Sequence, residues 1–160
     1  MQVYINQDTQ FENVGVWEMK NQNKYGIMHG LANKLDLITS EYIGDYHVFN
    51  SPTGKSYLCV DNTSQMGIVL GKLQAAITKE KGFQFKPTKS KLYIPITEEQ
   101  VRTLPKHMNM LISVNVYGVF LQTATNLAYL QFELSGYKAT SRIDFDAVNT
   151  DDNATFPDPV

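Results

Sequence analysis

Residues 110–137 read MLISVNVYGVFLQTATNLAYLQFELSGY. Two stretches within this segment alternate apolar and polar residues with a period of two, which is typical of β-strands that bury one face. The predicted apolar face consists of Ile112, Val114, Val116, Gly118 and Phe120, followed by Ala128, Leu130, Phe132 and Leu134. The predicted opposite face carries Ser113, Asn115 and Tyr117, followed by Tyr129, Gln131, Glu133 and Tyr137. The polar stretch 123–126 predicts that the two strands form an antiparallel hairpin.

The first third of the chain shows shorter β patterns that are separated by polar turns. The predicted strands are 2–5, 14–19, 26–31, 42–50 and 55–61. Residues 21–24 and 50–54 are predicted turns, because Asn, Pro and Gly supply the required backbone dihedrals. The single cysteine, Cys59, excludes an internal disulfide and is expected to be a core residue of the last of these strands.

Helical periodicity is confined to two segments. Between residues 64 and 79, apolar residues recur at spacings of three and four, which predicts a helix of about four turns. They are Met66, Val69, Leu70, Leu73, Ala76 and Ile77. A second, short helix is predicted at Thr97, where residues 97–100 have the form of a capping box and Pro105 ends the segment. The fold class is therefore mainly β with one or two helices.

Length and charge divide the chain into a body and a tail. With 160 residues, the chain is expected to form one domain. Residues 1–142 hold 14 basic and 11 acidic side chains, a net charge of +3, whereas residues 143–160 hold five Asp and no Lys or Arg. This acidic tail is expected to be flexible. No apolar run long enough to span a bilayer and no signal-peptide pattern is present, so the protein is expected to remain in the cytoplasm.

No recognisable catalytic, metal or cofactor motif is found in the sequence. Gly54-Lys55-Ser56 lacks the first glycine of a phosphate-binding loop, because position 49 is Phe49. His29, His47 and His107 have no Cys, Asp or Glu at ligand spacing. We therefore expect a binding protein without catalytic residues, cofactor or metal. An enzyme whose site is assembled from residues distant in sequence, with His47 or His107 beside a carboxylate, stays an alternative.

Residues 79–91 combine lysines with two phenylalanines. The segment contains Lys79, Lys81, Phe83, Phe85, Lys86, Lys89 and Lys91. Lysines can neutralise phosphates while aromatic faces stack on unpaired bases, so this composition indicates a candidate single-strand interface. The alternative is a solvated basic hairpin in which both phenylalanine rings turn into the core.

Two further groups of residues are candidates for nucleic-acid binding. One is Lys20, Lys24 and Tyr25 near the predicted 21–24 turn, where Trp17 is expected to be a core residue because its ring buries a large area. The other consists of Tyr117 and Tyr129, together with Tyr137, on the polar face of the predicted hairpin. Spaced tyrosines on a sheet face can stack on bases. A second layer packed over that face is the alternative.

The tail adds a family resemblance. Asp151, Asp152, Phe156 and Asp158, together with Pro157, form an acidic segment that contains Phe and Pro. With a β-rich body and aromatic-basic loops, it resembles the single-stranded DNA-binding proteins of bacteria and their phages. The resemblance implies a five-stranded OB-fold barrel over residues 1–142 and a tail at 143–160 that recruits replication or repair proteins.

These observations lead to one main hypothesis and one rival. The main hypothesis is sequence-tolerant binding and protection of single-stranded DNA during replication and recombination by a phage-encoded protein, with no membrane partner. The rival is a virion structural or assembly protein with a β-sandwich fold, in which the tyrosine face packs against other subunits. A homo-oligomer is compatible with either.

Overall fold

The fold was analysed in a computed structural model, which describes residues 2–4, 9–12, 14–43, 48–50, 52–87, 90–105 and 107–139. The strands are β1 (Gln2–Tyr4), β2 (Val16–Asn23), β3 (Gly26–Ile43), β4 (Val48–Asn50), β5 (Ser56–Asp61), β6 (Gln84–Phe85), β7 (Lys91–Ile96), β8 (Met108–Gln122) and β9 (Leu127–Ala139). The helices are α1 (Gln65–Lys81) and α2 (Glu98–Thr103). The predicted fold class, mainly β with two helices, is confirmed.

The larger sheet is built around the hairpin that the sequence predicts. Strands β8 and β9 pair antiparallel, and β3 pairs antiparallel with the other side of β8. The order of the sheet is β1-β3-β8-β9-β6, and β2 also pairs with β3. Strands β1 and β6 each run parallel to their neighbour.

Strand β3 is much longer than its sequence pattern indicated. The predicted strand 26–31 is confirmed but too short, because one strand of 18 residues runs from Gly26 to Ile43. The predicted strand 42–50 falls on the end of β3 and on β4, with residues 44–47 outside the described part of the chain. The exposed residues 32–34, which resemble a loop in sequence, lie where the register with β8 shifts between Gly30 and Leu35. The first turn is also shorter than predicted, since β2 ends at Asn23 and β3 begins at Gly26.

A second sheet of three strands lies beside the first, in the order β4-β5-β7. Within the part of the chain that the structure describes, the two sheets are not closed into a barrel, so the predicted OB-like closure is not found. The strand patterns specify pairing partners locally, but closure depends on strand tilt and shear, which those patterns do not encode. No helix among these residues is long and apolar enough to cross a membrane.

Helix α1 confirms the predicted apolar face. Met66, Val69, Leu70, Leu73 and Ile77 are buried, and Ala76 packs against the core from its edge. The Ser64 hydroxyl accepts a hydrogen bond from the Gly67 amide at 3.1 Å, which caps the helix. The helix ends at Gly82, whose φ of 74° is a left-handed conformation that glycine adopts without strain.

Two glutamates attach the ends of α1 to the sheet. At the first end, Glu41 of β3 accepts hydrogen bonds from the Met66 amide (2.9 Å) and the Thr39 hydroxyl (2.8 Å). Burial raises the pKa of the Glu41 carboxyl, and these two hydrogen bonds oppose the rise. At the other end, Glu80 accepts from the Val16 amide at 2.8 Å, the main reason why its pKa is lowered.

Helix α2 begins as predicted. Thr97 and Gln100 form a reciprocal capping box, with distances of 2.8 and 3.1 Å between the backbone nitrogens and the side-chain oxygens. The Gln100 amide nitrogen also donates to the Leu134 carbonyl at 3.1 Å, which links this helix to β9. The helix therefore packs beside the junction between the two sheets.

Irregular register in the β8–β9 pair changes which residues face the core. Ser113 pairs with Gly136 and Val114 with Leu134, so Ser135 is an extra residue. Because of this bulge, Tyr137 packs against the core instead of sharing a face with Tyr117, so its predicted placement is wrong.

Candidate nucleic-acid interface

An open groove lies where the two sheets meet, between β7 and β9. It encloses about 670 Å³. Four tyrosines contribute to its walls, two from each sheet, and Lys55 lies at its edge. The lining residues are Gly54, Lys55, Ser56, Tyr57, Tyr93, Pro95, Ile96, Glu98, Tyr117, Tyr129, Leu130, Gln131 and Phe132. We call this feature the tyrosine groove.

The smaller sheet presents Tyr57 and Tyr93 through simple alternation. Leu58 and Ile94 are fully buried on its inner face, so the tyrosines that precede them in sequence point to the outer face. The two rings meet edge to face with centroids 6.4 Å apart. Tyr93 is 45% exposed, so part of its ring faces solvent in the groove.

A bulge directs Tyr117 into the groove from the larger sheet. Val116 pairs with Phe132 and Gly118 with Gln131, so Tyr117 is the extra residue between these pairs. The bulge also shifts the alternation, and Val119 becomes fully buried while Phe120, predicted for the core face, is only partly buried. Partial burial, and secondarily the charge of Glu133, raise the pKa of the Tyr117 phenol.

Tyr129 is held in place through its hydroxyl group. Its hydroxyl donates a hydrogen bond to the Gln122 side-chain oxygen at 3.2 Å, and that oxygen also accepts from Thr125 at 2.7 Å. Both partners belong to the end of β8 and the turn that follows it. The ring of Tyr129 is thereby held in a defined position at the end of the groove near this turn.

A smaller groove of about 260 Å³ continues from the tyrosine groove along β9. The two share Tyr129, Leu130 and Phe132 in their walls. The smaller one contains Lys86, whose backbone amide donates to the Ala128 carbonyl at 3.3 Å. The two grooves adjoin at these shared residues and are together called the path, with Lys55 in the wall of one groove and Lys86 in the wall of the other.

The turn between β2 and β3 lies close to this path. The Thr123 amide donates to the Tyr25 carbonyl at 2.9 Å, so this turn touches the β8–β9 turn. Tyr25 is 63% exposed, and the Lys24 ammonium lies 5.1 Å from the centre of its ring. Lys24 and Tyr25 are therefore near the place where the two grooves share Tyr129. Lys20 belongs to β2, but its side chain lies outside the described part of the chain.

The structure separates the predicted lysine–phenylalanine segment into different environments. Phe83 and Phe85 are partly buried and pack against the core, and the Phe83 ring meets buried His29 edge to face at 4.9 Å. Their predicted role as stacking residues is therefore not supported, because core atoms occupy their surroundings. Lys79 and Lys81 are exposed on the last turn of α1. Lys91 is exposed at the start of β7, and Lys89 lies outside the described residues.

Two other predicted placements are corrected. Trp17 was expected in the core but is 50% exposed, because it pairs with Gly30 on the outer face of the sheet. Cys59 is only partly buried and lies on the outer face of β5, between the buried residues Leu58 and Val60. The tail residues Asp151, Asp152, Phe156 and Asp158 lie outside the described residues.

Sequence analysis missed several residues of the tyrosine groove. Tyr57, Tyr93 and Lys55 were not among the candidates, although Tyr57 and Tyr93 each precede a buried aliphatic residue within a strand. That alternation was a usable signal. Nothing in the sequence indicated that these strands would face β9.

The described residues contain no group of three or more His, Cys, Asp or Glu side chains that could hold a metal ion. No protein-family model, curated protein or solved structure matches this chain. The groove is therefore the feature of this chain from which a function can be inferred.

Proposed function

We propose that this protein binds single-stranded DNA, with little dependence on sequence, through the tyrosine groove. The observation that carries the proposal is the convergence of Tyr57 and Tyr93 from one sheet with Tyr117 and Tyr129 from the other in a single open groove. Aromatic faces stack on any base, because every base has a π-face. The proposed role is to coat and protect unpaired strands during replication and recombination.

The form of the groove supports a single strand rather than a duplex. In a duplex the base faces are stacked on each other, and only their edges are accessible in the grooves. A concave surface lined with tyrosines can contact base faces only after the strand is unpaired. The groove contains few groups that could read base edges, among them Gln131 and Ser56, which agrees with weak sequence preference.

Lysines along the path supply the contacts to phosphate. Lys55 and Lys86 line the two adjoining grooves, and Lys24 belongs to the turn near Tyr129, which both grooves share. Three phosphate contacts would give a slope of log affinity against log salt of roughly −2. Glu98 also lines the groove and Glu133 lies near Tyr117, so the affinity is expected to be moderate.

The biological setting belongs to the same proposal. The resemblance of the acidic segment 143–160 to the tails of phage and bacterial single-strand-binding proteins supports a phage-encoded protein that acts in the host cytoplasm. Contacts of this segment with replication or repair proteins are part of the proposal.

The direct test is fluorescence anisotropy of labelled oligo-dT, single-stranded and duplex, at low and moderate salt. We expect single-strand binding that weakens with salt and much weaker duplex binding. Tyr93→Ala should lower the affinity roughly 5-fold or more, the loss of about one stacked base. The matched control is Tyr42→Ala, which removes a tyrosine that is 64% exposed but does not line either groove.

Absence of single-strand binding at low salt would contradict the proposal. Salt-independent self-association without DNA affinity would instead support the rival hypothesis of a virion structural or assembly protein. Size-exclusion chromatography of the same samples distinguishes these two outcomes.

A further inference from the structure

The tyrosine groove continues onto the outer face of the larger sheet. Gln131 of the groove pairs with Gly118, which pairs with Gly30, which pairs with Trp17. This row crosses β9, β8, β3 and β2 and spans about 14 Å, since neighbouring strands lie about 4.8 Å apart. The two central residues have no side chains.

The two glycines allow apolar side chains to lie flat on the sheet. A Cβ atom on Gly30 would be 2.7 Å from the Trp17 ring, so the indole lies directly over that residue. A Cβ atom on Gly118 would be 2.7 Å from the Met28 methyl group, so this methyl lies over the second glycine. The result is a low apolar surface that leads from the groove to Trp17, which we call the outer strip (Gln131, Met28, Trp17).

The surroundings of the outer strip favour a nucleic-acid strand as its occupant. Trp17 is 50% exposed, and Tyr117, which is 41% exposed, lies beside the strip at the groove end. Exposed Lys24 and Tyr25 form the turn that joins β2, which carries Trp17, to β3, which carries Met28. An indole is a good stacking partner for a base, and Lys24, in the turn that follows the strand of Trp17, can pair with a phosphate farther along the bound nucleic acid.

We infer that a single DNA strand bound in the tyrosine groove extends across the outer strip and stacks a base on Trp17. This inference rests on the proposed function and adds a second segment to the binding path. Stacked nucleotides are spaced about 3.4 Å apart, so the strip accommodates about four further nucleotides.

The test uses the fact that Trp17 is the only tryptophan of the chain. Intrinsic fluorescence is measured while unlabelled oligo-dT of increasing length is added, and anisotropy of labelled oligonucleotides of the same lengths reports binding independently. We expect oligonucleotides of roughly 4 nucleotides to bind without quenching Trp17, and those of roughly 12 or more to quench it, within the site sizes common for such proteins.

A pair of variants completes the test. Trp17→Ala should weaken binding of the long oligonucleotide roughly 5-fold or more and leave the short one unchanged, whereas Trp17→Phe should restore most of the loss because it keeps an aromatic face. Circular dichroism of each variant checks that the sheet is intact. The wild-type quenching experiment does not depend on either variant being folded.

The outcomes separate the inference from the proposed function. If the long oligonucleotide binds without quenching Trp17 fluorescence, and Trp17→Ala leaves its affinity unchanged, the inference is overturned. Binding in the tyrosine groove would then still stand. If Trp17 fluorescence depends on protein concentration alone, the strip binds a second copy of the chain, and the inference is again overturned. If the protein does not change the anisotropy of any labelled oligonucleotide, the chain does not bind single-stranded DNA and the proposed function itself is wrong.

Discussion

The tyrosine groove and the segment of residues 79–91 both combine lysines with aromatic residues, but they present them differently. In the groove, alternation and a bulge direct the tyrosines away from the core, and Tyr93 and Tyr117 stay substantially exposed. In the segment, Phe83 and Phe85 pack against the core while the four described lysines, Lys79, Lys81, Lys86 and Lys91, are exposed. Proximity of Lys and Phe in sequence therefore does not define an interface, because the backbone decides which side of the chain each residue occupies.

The largest expected effect comes from removing one ring from each wall of the groove. The double variant Tyr57→Ala, Tyr117→Ala should lower affinity for oligo-dT at least about 30-fold, since each stacked base contributes roughly 1–3 kcal/mol. Thermal unfolding should change little, because Tyr117 is exposed and Tyr57 lies on the outer face of its sheet. Anisotropy titration and a thermal melt measure the two properties. Unchanged affinity would place the interface elsewhere.

In the segment of residues 79–91, we expect a substitution to lower stability without lowering the affinity for DNA. Phe83→Ala should lower the free energy of unfolding by about 2 kcal/mol, less than for a fully buried ring, because Phe83 is only partly buried. The variant should bind oligo-dT like the wild type at a temperature where both are folded. Urea denaturation and anisotropy provide the comparison. A large loss of affinity with unchanged stability would restore Phe83 as a stacking residue.

Lysines in the two regions should differ in their effect on the salt dependence. Lys55→Ala should reduce the slope of log affinity against log salt by about 0.7, the contribution of one phosphate contact on a single strand. Lys79→Ala is the matched control, because this exposed lysine lies at the end of α1 and outside both connected grooves. If Lys55→Ala and Lys79→Ala change the slope equally, the proposal that Lys55 contacts a phosphate and Lys79 does not would be contradicted.

The smallest effect concerns pH and the attachment of α1. Burial raises the pKa of Glu41 in the folded state, so the folded state holds this proton more tightly than the unfolded state. This contribution to stability is present below the ordinary carboxyl pKa and is lost as pH rises through the raised value. Because Gln does not ionise, Glu41→Gln should remove this pH-dependent decrease in the free energy of unfolding, which we expect to be under about 1 kcal/mol. Urea denaturation at several pH values between 4 and 7 measures the free energy of unfolding of both proteins. If this free energy depends on pH in the same way in the wild type and in Glu41→Gln, the prediction is wrong.

Local features of the fold were predictable from sequence. The period of three and four in residues 64–79, the Thr97 capping box and the alternation in 110–137 each predicted an element that the structure contains. These patterns depend on neighbours in sequence. The single strand Gly26–Ile43 was not predictable, because its exposed residues 32–34 interrupt the pairing with β8, and the strand is continuous only through the long-range pairs on both sides of them, at 26–30 and 35–43.

The site was less predictable than the fold for a related reason. Tyr117 and Tyr129 were identified because they alternate with apolar residues in a long strand. Tyr137, which follows the same pattern, was misplaced because the bulge at Ser135 reverses the alternation. The pairing of Tyr57 and Tyr93 with these residues across the groove depends on how β7 packs beside β9, a contact between residues far apart in sequence.

The central claim, that bases stack on the tyrosines of the groove, is tested most directly by ultraviolet crosslinking of the protein to oligo-dT followed by mass spectrometry of the peptides. The account predicts crosslinks at Tyr57, Tyr93, Tyr117 or Tyr129 and none at the exposed control Tyr42. Crosslinks confined to Phe83 and Phe85, or to Tyr42, would contradict it.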